Sequence, residues 1–301
     1  MSIFKISIWL RIIRIKFLLS SLLAVILGLV LNYYQNNFIN IIQFLLTLSG
    51  VISLHISVDL LNDYWDFKRG IDIKTYKTKF SGGTGILPSR LLKPSNVYFV
   101  GMFFLLIGIL IGTYFVYYHG FVILLMLIFA TISIYFYSTK IVDHGLAEIF
   151  VCIKGTMIVL GTYFIQNNDT NIEIMIIGIN IGLLSSLVLF IASFPDFEAD
   201  KSHGRKTILA ICGKKNSTLV YWIFPTMIYC ITAFEIFFGY LPYSCLAVFF
   251  VLPLVINSGI LLNKNYNNIR ILEVIIGQII LFSRLYVILL IFSLIFDFIF
   301  V

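Results

Sequence analysis

Residues 41–72 read IIQFLLTLSGVISLHISVDLLNDYWDFKRGID. The first two thirds of the stretch is an unbroken apolar run, 41–61, about as long as the ~20 residues that cross a bilayer as a helix. Its end changes character abruptly, with Asp59, Asn62, Asp63, Asp66 and Asp72 in quick succession. An apolar rod closed by clustered carboxylates describes a membrane helix whose mouth does chemistry, so the rest of the chain is read against that pattern.

Runs of the same kind recur near 17–34, 96–117, 120–138, 146–165, 172–194, 217–238, 243–262 and 270–299, nine in all with 41–61. Of the 301 residues 60% are hydrophobic and 12% charged, with a mean hydropathy of +1.02; a soluble domain carries roughly twice that share of charge. An ordinary soluble globule is excluded. Because lipid offers no partner to an unpaired backbone group, the runs are expected to be helices. The expected fold class is therefore an all-α integral-membrane bundle of about nine transmembrane helices, one domain over 1–301, with motif-bearing loops at 62–95 and 195–216. The first run lacks a small-residue cleavage pattern after Leu31 and is expected to stay as helix one.

Charge orients the bundle. Nineteen of the 21 Lys and Arg fall in segments that share one side if the N-terminus is cytoplasmic; only Lys154 and Arg284 lie within runs. The other loops carry none, which predicts an N-in, C-out topology and a cell-membrane, multi-pass protein whose active-site cavity faces the cytoplasm. The net charge of +7 is thus a matter of topology and lipid contact, and no nucleic acid is expected as a partner. Cys152, Cys212, Cys230 and Cys245 lack paired spacing and read as small packing residues. The run from 270 to 299 would make a helix of about 45 Å, which must tilt, overhang or break near Gln278 and Arg284.

A second acidic cluster closes the sixth run: Pro195, Asp196, Phe197, Glu198, Ala199, Asp200, then Lys-Ser-His and Gly204-Arg205-Lys206-Thr207. Asn62 and Asp66, and Asp196 and Asp200, are each four apart, a spacing that stacks side chains on one helix edge. Topology puts both clusters at the cytoplasmic ends of their helices, four helices apart, which points to a duplicated pair of four-helix units. Clustered carboxylates at a helix C-terminus repel a bare phosphate and attract hard cations. Mg²⁺ is the expected occupant, and because Asp63, Asp66, Asp196 and Asp200 sum to about −4 and a diphosphate to about −3, two ions are expected. Arg14, Lys68, Lys140 and Lys206 stand at cytoplasmic helix ends as candidate diphosphate contacts.

The string NDYWDFKRGID over 62–72 resembles the first aspartate motif of UbiA-type prenyltransferases, and DFEADKSHGRKT over 196–207 resembles the second. Resemblance covers essentially the whole chain. Many members place a third Asp four residues after the position of Asp66; here that residue is Gly70, with Asp72 two further on. This variant, with SGGTGILP following at 81–88, resembles the 1,4-dihydroxy-2-naphthoate polyprenyltransferase (menaquinone) branch. The resemblance implies that Asn62, Asp63, Asp66, Asp196 and Asp200 hold Mg²⁺ and the diphosphate, with the four aspartates catalytic. It implies transfer of a polyprenyl group from a prenyl diphosphate to an aromatic acceptor, with loss of pyrophosphate and, in that branch, of CO₂. Other acceptors in the family are 4-hydroxybenzoate, a glycerophosphate lipid and a porphyrin-type ring; a transporter is the non-enzyme alternative.

Further candidates are Asp72, as a group supporting the metal ligands, and Glu148, as an acceptor contact at the start of the fifth run. Asp59 lies one turn deeper than Asp63, and Lys154 about 12 Å into the fifth run. Family members often show Tyr-x-x-x-Lys before the fifth run; here Phe136 takes the Tyr position, between Tyr135 and Tyr137. The glycine-rich 81–85 lacks the ending of a P-loop and is expected to be a flexible loop that caps the cavity.

Overall fold

The computed structural model describes residues 3–300; the ends of the domain expected over 1–301 lie outside it, as do the side chains of Lys5 and Lys74, two of the nineteen cations counted above. Every regular element among the described residues is helical. A short helix α1 (Ile3–Ile12) precedes α2 (Ile15–Asn36) and α3 (Ile41–Lys68); one turn, α4 (Ile71–Lys74), leads through an irregular loop to α5 (Pro94–His119) and α6 (Phe121–Phe136). The second half is α7 (Ala147–Asn167), α8 (Ile172–Ala192), the short α9 (Phe197–Ser202), α10 (Ile208–Val220), α11 (Ile223–Phe237), α12 (Leu252–Asn265) and α13 (Ile269–Phe300). Eight helical segments among the described residues are long and apolar enough to cross a membrane alone, and α10 with α11 forms a ninth, bent by 50°. The nine expected spans thus correspond, among the described residues, to eight such segments and this one bent pair.

The ninth span is interrupted twice: Gly213 has non-helical backbone inside α10, at φ 78° and ψ 155°, and Pro225, in the first turn of α11, has no N–H to give the carbonyl of Tyr221, four residues back. That carbonyl accepts from the Phe224 N–H at 3.2 Å, and the fully buried Tyr221 side chain donates through its hydroxyl to the carbonyl of Val255 at 2.6 Å. Outward faces are apolar where lipid would lie: on α5 and α6, Phe99, Phe103, Leu110, Leu125 and Ile132 are all exposed.

The long last helix does not break. The Arg284 guanidinium donates to the carbonyl of Lys16 at the start of α2, while Asp297 accepts from Tyr34 at 2.7 Å and Phe298 packs on Tyr33 near its end. Residues 284–298 thus run beside α2, and 269–283, about 22 Å of helix, overhang its start. The overhang reaches the loop after α4: Glu273 lies 3.6 Å from Lys79, and Gly277 faces Phe80. Arg284 is accordingly level with the start of α2.

Helices α7 and α8 cross at glycines. A Cβ on Gly182 would lie 2.2 Å from the carbonyl oxygen of Cys152, and one on Gly155 would lie 2.8 Å from Cα of Gly182. Gly178-Ile-Asn-Ile-Gly182 is the small-x-x-x-small pattern that lets membrane helices approach closely. Gly182→Ala is expected to cost about 2 kcal/mol through overpacking, read as a lowered thermal midpoint in detergent. Gly161→Ala, where a Cβ would meet only Met126 Sδ at 3.4 Å, serves as the near-neutral control.

Candidate active site

The last two turns of α3 carry Asn62, Asp63 and Asp66. Gly70, in the left-handed region at φ 77°, ends the helix and turns the chain into α4, which brings Asp72 back beside them. The second cluster is built differently from the expectation that both lie at helix C-termini. Helix α8 stops at Ala192, Ser193 to Pro195 form a turn, and Asp196 begins a new short helix that carries Asp200. Proline cannot continue the ladder, so the acids sit past the end of α8, and the helix-dipole argument holds for the α3 acids alone. Helices α4 and α9 touch, and this contact between the two halves brings the motifs together.

Two arginines stand among the acids. Arg14, left-handed at φ 48° in the break between α1 and α2, donates to Asp63 at 2.6 Å. Arg205 follows Gly204, whose φ of 75° reverses the chain after α9; its guanidinium donates to Asp200 at 3.2 Å and to Asp66 across the two motifs. Asp63, Asp66 and Asp200 are buried. Asn62 accepts from Ser138 Oγ at 2.5 Å and donates to Asp66 at 3.4 Å, which orients that carboxylate. Arg69 binds both oxygens of Asp143, at 2.9 and 3.0 Å, and clamps the end of α3 to the segment after α6.

The glycine-rich loop is not a free flap. Thr84 donates to Asp63, the Gly82 N–H donates to Asp196 at 3.4 Å, and Arg11 donates to the Thr84 carbonyl at 2.7 Å. Ile86 and Leu87 are fully buried with Ile8, Ile12 and Leu60. A Cβ on Gly83, at φ 69°, would lie 2.4 Å from Asp72 Oδ1, so only glycine fits there. The loop is an inner wall, held by the apolar pair Ile86 and Leu87 that follows the five small residues 81–85.

Of the cations expected to contact diphosphate, Arg14 is at the acids. Lys68, Lys140 and Lys206 are exposed; Lys68 lies over the Tyr64 ring at 5.7 Å. Arg205, adjacent to Lys206, takes the inner position that Lys206 does not. Glu148 is buried, accepts from the Ile208 N–H at 3.4 Å and leaves its Oε2 without a partner. A π-turn over Tyr137–Ile141 alters the register after α6 and brings Tyr137 within electrostatic reach of Glu148, Arg205, Asp66 and Asp200. A one-residue shift of this kind explains why Phe136, at the expected tyrosine position, is exposed.

The donor set suits a hard divalent cation. Asp72 Oδ2 and Asp196 Oδ1 are buried with no hydrogen-bond partner, and unpaired buried oxygens are costly unless something binds them. Burial, then the Asp63 and Asp66 charges, push the Asp72 carboxyl up to about 8. Burial and neighbouring Asp200 raise Asp196 well above the carboxylate range. Among the described residues, however, no three carboxylate, His or Cys side chains converge tightly enough to hold an ion alone. Mg²⁺ here would take its remaining oxygens from water and from a bound phosphate.

A carboxyl that titrates near 8 in the fold and at 3.8 unfolded binds more protons folded than unfolded between those values. The stability of the metal-free protein is therefore reduced as pH rises from about 4 through 8. Asp72→Asn is expected to flatten this dependence, measured as thermal midpoints in chelator at pH values about 5 and 8.5.

A helical membrane bundle with two acidic motifs interleaved by arginines at one mouth defines a narrow class of protein. The chain belongs to the UbiA prenyltransferase family, whose pattern it matches over residues 21–297. It is 28% identical over 205 residues to the 1,4-dihydroxy-2-naphthoate octaprenyltransferase of Bacillus subtilis, covering 66% of this chain and 64% of that protein. The match thus spans slightly under two thirds of that relative's length. It is 28% identical over 219 residues to the Haemophilus influenzae protein of the same name, covering 69% and 70%. The fold is similar to that of a UbiA homolog from Archaeoglobus fulgidus bound to GPP and Mg²⁺, with a TM-score of 0.65, 14% identity, and 94% of this chain and 99% of that one covered. An apo UbiA homolog from Aeropyrum pernix K1 superposes with a TM-score of 0.69 at 14% identity, covering 94% and 98%.

Proposed function

We propose that this multi-pass membrane protein transfers a polyprenyl group from a prenyl diphosphate to 1,4-dihydroxy-2-naphthoate, releasing pyrophosphate and CO₂, with two Mg²⁺ and an active site facing the cytoplasm. The observation that carries the reading is the Asp66–Arg205–Asp200 bridge, which joins the two motifs into one buried floor that keeps a surplus of negative charge. Bound Mg²⁺ would neutralise the diphosphate as it departs. Asn62, Asp63, Asp66, Asp196 and Asp200 are its proposed holders, with Asp72 supporting them.

Arg14 and Arg205 are placed to take phosphate oxygens, because a guanidinium presents paired donors in a fixed fork. As the allylic C–O bond breaks, its electron pair goes to the diphosphate, and donors already aimed there stabilise that charge without reorganising. The acceptor's electron-rich ring then forms the new C–C bond. The names of the bacterial relatives support the naphthoate as acceptor, and the cation bias of the loops supports the cytoplasmic face.

The test supplies membranes containing the chain with geranylgeranyl or longer diphosphates, competing aromatic acids and a CO₂ trap. Mg²⁺-dependent prenylation of the naphthoate with stoichiometric CO₂ is the expected result. Prenylation of another acceptor without CO₂ would reject the naphthoate, and no metal-dependent transfer to any acceptor would reject the enzyme reading.

A further inference from the structure

Below the acids, one face of α3 continues inward as a polar stripe at four-residue spacing, Asp63, Asp59 and His55, each about 6 Å deeper than the last. His55 accepts or donates through Nδ1 to Ser21 Oγ of α2 at 2.6 Å, and its Nε2 lies 3.7 Å from Asp59 Oδ2. That Asp59 oxygen is buried and makes no hydrogen bond. Lys154 of α7 is within electrostatic reach of both Asp59 and His55, yet among the described residues it reaches no hydrogen-bond or ion-pair partner. α2, α3 and α7 pack against one another, so these groups share one region inside the bundle.

A lone ammonium and an underused carboxylate inside a membrane bundle are expensive. Were this a structural ion pair, the two would close on each other. They make no such contact, and lie within electrostatic reach of each other, Asp59 one turn below the acids proposed to hold the diphosphate and also within reach of Arg14. In the function proposed above, the first carbon of the prenyl donor lies beside those acids and meets its acceptor there.

We propose that Lys154 and the His55–Asp59 pair receive the acceptor ring, the lysine ammonium binding the ring's carboxylate and Asp59 accepting a hydrogen bond from a ring hydroxyl. Asp59 thereby feeds electron density into the ring, and His55, locked by Ser21, positions Asp59. Lys154 keeps the acceptor's carboxyl ionised, the form that leaves as CO₂. The ring carbon bonds to the allylic carbon, the C–CO₂⁻ bond returns its pair to the ring, and the diphosphate keeps the pair of the broken C–O bond. The class of ligand is an aromatic acid with an adjacent hydroxyl, and the proposal rests on the function proposed above.

The test measures equilibrium binding of two unreactive probes, 1-hydroxy-2-naphthoate and 1-naphthol, to the full chain in nanodiscs. Wild type is expected to prefer the carboxylated probe by about tenfold or more, the worth of one charge-assisted hydrogen bond. Lys154→Met should abolish that preference, Lys154→Arg should keep most of it, and Asp59→Asn should weaken both probes. A thermal midpoint for Lys154→Met no lower than wild type confirms that the variant is folded. Equal preference in Lys154→Met and wild type, or none in wild type, overturns the proposal. Prenyl transfer separates this from the broader reading. Lys154-dependent binding without transfer to any acceptor leaves the binding site standing and removes the enzyme, whereas CO₂-releasing transfer at wild-type KM by Lys154→Met does the reverse.

Discussion

Asp66→Ala is expected to lower prenyl transfer by about a hundredfold to a thousandfold while the bundle stays folded. Asp66 is the carboxylate at which the motifs meet: it is buried, takes Arg205 from the second motif and is oriented by Asn62. Alanine removes one proposed metal ligand and leaves Arg205 to Asp200 alone. The helix itself loses nothing, since alanine is the best helix former. Initial rates across a Mg²⁺ titration, beside a thermal melt of the same preparation, read both halves of the expectation. Wild-type rates at low Mg²⁺ would remove Asp66 from the site.

The second large effect is on stability. Arg205→Ala leaves Asp66 and Asp200 buried without their shared cation, and breaking a buried pair in this way costs about 3–5 kcal/mol. The loss should be largest in chelator and partly restored by Mg²⁺, which supplies the missing positive charge to the same oxygens. Lys206→Ala, one residue away and exposed, is expected to shift stability by no more than about 0.5 kcal/mol. Thermal midpoints of both variants with and without Mg²⁺ check the pair of expectations. Equal behaviour of the two would mean that the Arg205 bridge does not hold the motifs together.

The contrast between Arg205 and Lys206 shows where one-dimensional reading stops. Both follow the second motif, and position at a helix end ranked Lys206 as the candidate. What turns Arg205 inward is Gly204 in the left-handed region, a backbone reversal that Gly-Arg-Lys permits without requiring. Tyr137 is a similar case. The family resemblance pointed to position 136, and a π-turn over Tyr137–Ile141 alters the register there. The 81–85 loop read as mobile because glycines dominate it, whereas its place is decided by Ile86 and Leu87, buried against residues more than 20 positions away. Arg284 lies within an apolar run, and only the packing of α13 on α2 brings it to the Lys16 carbonyl.

Local chemistry, by contrast, was legible throughout. Nine apolar runs demand nine helical spans because backbone groups in lipid must be satisfied within their own helix. Two clusters of carboxylates along the chain are visible in the same way, because residue type and spacing alone put Asn62 with Asp66 and Asp196 with Asp200. Those properties are set by residue type and spacing along one helix, and sequence alone determined them. Which arginine balances which aspartate, that α4 meets α9, and that Lys154 comes within electrostatic reach of Asp59 without pairing with it were decided only by tertiary packing. Each depends on where separate helices stand relative to one another, and no periodicity within a single helix carries that information.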